Sequence, residues 1–141
     1  MLNRPLLAIV LTCCTPLMSQ ASEMAEIKEV AACQAKHQDH KSYSQCLDSV
    51  LLKFDRDVTT WENNVEYKLK EISSGSGRGD ALMTFNKASR QFHAFREVNC
   101  RWQYQARLPD VATAAIEVKE CKIYMARDRI AQLTLLSQIE F

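Results

Sequence analysis

The sequence predicts an all-α fold: a small antiparallel bundle of three long helices preceded by a short one and stapled by two disulfides. Three observations carry this prediction. Apolar residues recur at steps of three and four through every long segment, and alternating strand patterns are absent. Helix breakers are confined to a few places, with glycine only at 75, 77 and 79 and, beyond residue 21, proline only at Pro109. Four cysteines remain beyond residue 21, an even number in a chain that begins like an exported protein.

The opening of the chain reads as a leader. Arg4 gives a short positive start, residues 6–18 form an apolar run broken only by threonine and proline, and Ser19-Gln20-Ala21 offers the small-x-small pattern cut by a signal peptidase. Cleavage is expected after Ala21, with residues 1–21 as signal peptide and 22–141 as one domain. Lipidation at Cys13 or Cys14 is disfavoured, because the residue ahead of a lipidated cysteine is small and here it is Thr12 or Cys13. The apolar run is too short for a stable membrane span, so no transmembrane anchor is expected in the mature chain. The expected location is the periplasm or the exterior.

A short helix is expected around residues 23–36, with Ile27, Val30 and Ala31 facing inward. The clearest element covers residues 43–73, where Leu47, Leu51, Phe54, Val58, Trp61, Val65, Leu69 and Ile72 draw one stripe. Ser42 and Gln45 form a plausible capping box at its start. Residues 73–80, rich in serine and glycine, read as a flexible connector, and Asp80 follows as an N-cap. The next stripe is Leu82, Phe85, Ala88, Phe92, Phe95, Asn99 and Trp102, which places both Trp61 and Trp102 in the core. After the break at 108–110, Val111, Ala114, Val118, Cys121 and Met125 form one row, with Ile116, Ile123, Ile130 and Leu133 beside it. Short loops between long helices imply antiparallel neighbours.

Charge excludes one class of partner. Residues 22–74 carry ten acids and seven bases, and residues 75–141 seven acids and ten bases. This weak asymmetry lacks the basic patch of a nucleic-acid binder. Cys33, Cys46, Cys100 and Cys121 allow three pairings, which the sequence leaves open. The favoured local pairing, Cys33–Cys46 with Cys100–Cys121, closes loops worth about 3 kcal/mol each in the chain-entropy account. The absence of Cys-x-x-Cys argues against thiol exchange.

The segment Phe92-His93-Ala94-Phe95-Arg96-Glu97-Val98-Asn99-Cys100 resembles the aromatic-x-x-aromatic-Arg-x-x-x-Cys signature of the LprI-type lysozyme inhibitor family. Cys121, Arg129 and Leu133 resemble that family's later Cys…Thr-x-x-Arg-x-x-x-Leu ending, with Ala126 or Asp128 near the usual threonine. Upstream, Cys33, Cys46, Leu47, Tyr67 and Leu69 fit its cysteine pair ahead of a long helix. The resemblance covers residues 30–135. Two departures stand out: Phe92 occupies a usual tryptophan position, and Glu62-Asn63-Asn64 replaces the usual Leu-Asn before the helical tyrosine. The resemblance implies an exported helical domain and, for the member that names the family, inhibition of lysozyme. On this basis Phe92, Phe95, Arg96 and Arg129 are structural signature residues.

No catalytic constellation or cofactor motif is visible, so the expected activity is binding by surface complementarity to a protein such as lysozyme or another muramidase. The alternative is a structural or assembly subunit of an envelope complex. Animal-type lysozymes are basic and work with two carboxylates in a cleft, so an inhibitor can offer acids for steering or a basic group to the cleft. Asp48, Asp55, Glu62 and Glu66 fall on one helical flank as an acidic strip, whose plain reading is a solvated face. Arg78, at the tip of the connector, is the basic candidate. Cys33, His37, His40 and Cys46 are zinc-capable types, but their spacing matches no standard finger and an oxidising compartment favours disulfides, so no metal is expected. His93 lacks a nucleophile beside it in sequence. Arg96 is expected along the core edge, bonded to carbonyls or to an acid such as Glu97 or Glu120.

Overall fold

The computed structural model describes residues 26–138. The expected leader, Cys13 and Cys14 included, lies outside them. The described residues form four helices and no strand: α1 (Lys28–Lys36), α2 (His40–Ser76), α3 (Asp80–Arg107) and α4 (Val111–Ser137). The all-α reading with one short and three long helices is therefore what the chain adopts.

Capping fixes the start of α2. Asp39 is the N-cap, and its carboxylate accepts the Ser42 backbone N–H at 2.9 Å. The expected Ser42–Gln45 box is thus replaced by a cap three residues earlier, with Ser42 as the donor. The helix spans 37 residues, about 55 Å at 1.5 Å per residue. It continues past residue 73 because the Ser74 and Ser76 hydroxyls turn back to carbonyls at Lys70 and Ile72 and close the last turn locally. Gly77, at φ 70°, then ends it by donating its N–H to the Ser73 carbonyl at 2.9 Å. The connector shrinks to residues 77–79, with Gly79 at the cap position of α3 and Asp80 inside its first turn.

The ends of α4 follow the same chemistry. Asp110 caps it by accepting the Thr113 N–H at 3.1 Å. Its buried residues, Ala114, Ile116, Ile123, Ala126 and Leu133, wrap around the helix because it is packed against both other long helices.

Contacts between helices set their directions. Asp48 and Glu62 of α2 meet Lys119 and Arg129 of α4, so both numbers rise together and the two helices run parallel. Pairs between α3 and α4 run the other way, from Lys122 with Glu97 to Arg107 with Glu117. The bundle is up-down-up, antiparallel between chain neighbours and parallel between α2 and α4. Cys33–Cys46 ties α1 to α2, and Cys100–Cys121 ties α3 to α4, at Cα separations of 5.8 and 5.7 Å. The favoured local pairing is the one the structure forms.

The core has two parts. The larger joins Ile27, Val30 and Cys33 to Leu47, Val50, Phe54 and Val58 of α2 and to Ile116, Ile123 and Ala126 of α4. The smaller, toward the C-terminal end of α4, joins Val65, Leu69 and Leu133, with Trp61 and Phe85 partly buried against it. Most of the expected α2 stripe lies in these clusters, with Val50 more buried than its neighbour Leu51.

The α3 stripe differs from expectation. Its fully buried residues are Arg96 and Cys100, while Phe95 and Trp102 are 61% and 57% exposed. The line facing the bundle runs Phe85, Ser89, Phe92, Arg96, Asn99 or Cys100, and Gln103. Moving from Phe95 to Arg96 turns the helix about 100°, enough to exchange a core position for a surface one. Val111 is likewise exposed rather than part of the α4 row.

Candidate functional site

The acidic strip of α2 lies where α3 and α4 cross it. Asp48 meets Lys119 Nζ at 2.6 Å, and that ammonium also donates to the Ser44 hydroxyl and carbonyl. One heptad on, Asp55 accepts from Arg96. A further heptad on, Glu62 accepts from Arg129 at 3.3 Å and contacts His93 Nε2 at 2.9 Å. Glu66 pairs within its own helix with Lys70 at 2.9 Å. Three of the four acids are thus cross-links between helices, a use that neither the steering nor the solvated-face expectation contained.

Arg129 is the centre of this network. Its side chain is 11% exposed and that of Glu62 13%, so this pair is largely withdrawn from water. The guanidinium donates to Ser89 Oγ at 3.1 Å and Gln132 Oε1 at 3.0 Å, and it sits 5.2 Å from the Phe92 ring centroid and 5.9 Å from that of Phe85. Its Nε is buried without a hydrogen-bond partner. Arg96, 5% exposed, reaches Asp55 rather than the expected Glu97 or Glu120. Glu97 instead accepts from Lys122 at 2.7 Å, a bond that holds its carboxyl below the usual range. Glu120 accepts from the Tyr43 hydroxyl at 2.5 Å. Burial, and then that bond to Glu120, push the Tyr43 hydroxyl well above its ordinary value.

The signature residues therefore have clear positions. Phe92, Arg96 and Arg129 pack or pair across helix junctions, Cys100 is fully buried in its disulfide, and Phe95 stands outside on the surface. The signal that could have located the pairs was present in the acids at 48, 55 and 62. Heptad spacing beside an apolar stripe keeps them at one edge of the helix, a position that suits an inter-helix partner as well as a solvated face.

Arg78 occupies the opposite kind of setting. It is exposed between Gly77 and Gly79, and its Nε donates to Ser76 Oγ at 3.1 Å. No heavy atom lies within 4 Å of the position a Cβ would take at Gly75 or Gly77. The end of the bundle is therefore a slender tip of serine and glycine with one cation. Of the candidate zinc set, Cys33 and Cys46 are bonded to each other, which removes both thiolates. Among the described residues no group of three His, Cys, Asp or Glu side chains is placed to hold a metal, and no helix is long and apolar enough to cross a membrane.

An open groove of about 620 Å³ runs between α3 and α4 beside the second disulfide. Trp102 and Met125 line it, as do Glu117, Glu120 and Asp128. Sequence periodicity missed it because Trp102 counts as a core aromatic on spacing alone.

These features define a disulfide-stapled helical body whose charged residues mainly lock helices together and whose distinctive exposed groups are a cationic tip and an aromatic-lined groove. The chain belongs to the family described as lysozyme inhibitor LprI, whose family model matches residues 14–133. No curated protein and no solved structure matches it.

Proposed function

We propose that the mature chain is an exported, non-enzymatic binding protein that inhibits a muramidase by surface complementarity. Family membership over residues 14–133 carries this reading. Export by a signal peptide cleaved after Ala21, and residence in the periplasm or outside the cell, belong to the same proposal. The two disulfides support it, since such bonds persist in oxidising compartments.

The tip at Arg78 is the part of the surface best shaped for an enzyme cleft. A muramidase cleft carries two carboxylates, and a guanidinium can bond a carboxylate through two N–H groups. Gly77, with no heavy atom within 4 Å of the position a Cβ would take, leaves room on one side of Arg78 for close approach of a cleft wall. The α2 acids contribute less to this reading, since Asp55 and Glu62 already hold basic partners.

The experiment is a lysis assay. Purified residues 22–141, with disulfides intact, slow clearing of a cell-wall suspension by at least one of a panel of animal, plant and bacterial muramidases. Arg78→Ala weakens the inhibition by about tenfold, the loss of roughly 1.4 kcal/mol expected for one charged contact. Unchanged clearing across the panel at micromolar excess removes the proposal. The second reading, an envelope assembly subunit, draws on the exposed aromatic stripe of α3 and predicts a stable envelope partner with no effect on lysis.

A further inference from the structure

Phe95, Val98 and Trp102 lie at i, i+3 and i+7 on α3, and their exposures are 61%, 65% and 57%. Two aromatics and a valine, each more than half exposed, together form an apolar patch on this face of α3. Trp102 also forms one wall of the α3–α4 groove, with Met125 on the facing helix.

That groove continues. A second depression of about 290 Å³, lined by Phe92, Arg129 and Gln132, shares Met125 and Asp128 with the first. Together they follow α4 from Glu117 to Gln132, roughly 22 Å, the length of a 15-residue helix. A trough of this length between two antiparallel helices, where the described residues supply three long helices, has the shape of the seat for a further helix.

Charge specifies the occupant. Over the whole trough three carboxylates, Glu117, Glu120 and Asp128, face two guanidinium groups, those of Arg107 and Arg129, and Arg129 is already held by Glu62. Glu117 is engaged by Arg107, Glu120 by the Tyr43 hydroxyl and Asp128 by Arg127, yet each carboxylate retains further acceptor sites. The Arg107 contact holds the Glu117 carboxyl below its ordinary range, so it stays ionised in mildly acidic media.

We propose that the α3–α4 groove binds a basic amphipathic helix of a partner protein, about four turns long. Its apolar face covers Trp102 and Met125, and its lysines or arginines meet Glu117, Glu120 and Asp128. Trp102 lies 22 residues along α3 from Asp80, about 33 Å from the Arg78 end, so the groove and the tip are separate surfaces. This inference does not rest on muramidase inhibition: either activity can fail while the other stands.

The test uses the disulfide-intact mature chain and two synthetic peptides of roughly 15 residues, one with leucine and lysine at amphipathic helical spacing and one with glutamate in place of lysine. Calorimetry gives one lysine peptide per chain, with tryptophan emission shifting to the blue, and at least about tenfold weaker binding of the glutamate peptide. Trp102→Ala weakens binding by about tenfold or more without moving the thermal midpoint, and Glu117→Gln with Asp128→Asn weakens it by a similar factor while the helical circular dichroism spectrum is retained. Leu52→Ala, which removes an exposed leucine of α2, changes nothing. Equal affinity for the two peptides, affinity unaffected by Trp102→Ala, or no binding at millimolar peptide overturns the proposal. So does self-association that buries Trp102, which assigns the groove to a second copy of the chain.

Discussion

Replacing Glu62 with methionine removes the acceptor that Arg129 reaches across from α4. Both side chains are nearly nine-tenths withdrawn from water, so the guanidinium loses its counter-charge where solvent replaces it poorly. Breaking a buried pair by removing one partner costs about 3–5 kcal/mol. Ser89 and Gln132 still accept from the guanidinium and two aromatic rings still flank it, which places the expected loss at the low end, about 3 kcal/mol. In a domain of this size that lowers the melting midpoint by roughly 10 °C or more. Arg129→Met alone leaves Glu62 with only His93, and the expected loss is of similar size. The double replacement recovers most of it, because a methionine pair leaves no unpaired charge and can pack against Phe85 and Phe92. Urea unfolding of the four proteins closes the cycle. A loss under about 1 kcal/mol in Glu62→Met, or a double variant as unstable as the sum of the singles, refutes a coupled structural role for the pair.

Gly77→Ala tests the turn at the tip: with φ at 70° and nothing near the added Cβ, the expected loss is about 1 kcal/mol from backbone strain alone, read from urea midpoints. Acid should destabilise the fold. Asp39, Asp110, Glu97 and Glu117 all have carboxyls held below their ordinary values by the bonds they accept, so the stability they confer is present above about pH 4–5 and is lost as pH falls through their lowered values. Melts should be flat from pH 7 to about 5 and decline modestly below about 4, since these carboxylates are mostly solvent-exposed, and an unchanged midpoint at pH 3 contradicts this. At the alkaline end Tyr43 is raised, so its contribution is complete below about pH 10 and disappears as pH climbs beyond, an effect that Tyr43→Phe abolishes. Replacing Cys100 and Cys121 together by serine removes a cross-link closing a 21-residue separation, with an expected loss of about 3 kcal/mol by the same urea assay.

The number and order of helices were legible because the apolar steps in α2 are long and uninterrupted, and because glycine and proline mark the turns. The disulfide pairing was favoured but left open by the sequence, and the structure shows that each bond links consecutive helices. The α3 face was less legible. Phe95 and Trp102 repeat at seven like core residues, but the line that faces the bundle carries Ser89, Arg96 and Gln103, which a hydrophobic count passes over. Arg96 takes a core position because Asp55 comes from another helix 41 residues away, a pairing that no local pattern encodes. The acids at 48, 55 and 62 read equally well as a solvated face, and only the parallel packing of α4 against α2, with α3 beside them, gives them inter-helix partners. Arg78 was legible as an exposed tip because glycine on both sides leaves it nothing to pack against.

The central functional claim is that the Arg78 tip occupies the cleft of a muramidase. Competition measures this directly: binding of the mature chain to an inhibited muramidase is titrated with and without a saturating cell-wall oligosaccharide that fills the enzyme's cleft. If Arg78 fills the cleft, the oligosaccharide suppresses binding, and Arg78→Ala lowers affinity in its absence. Undiminished binding to the filled enzyme contradicts it and moves the contact to another face of the bundle.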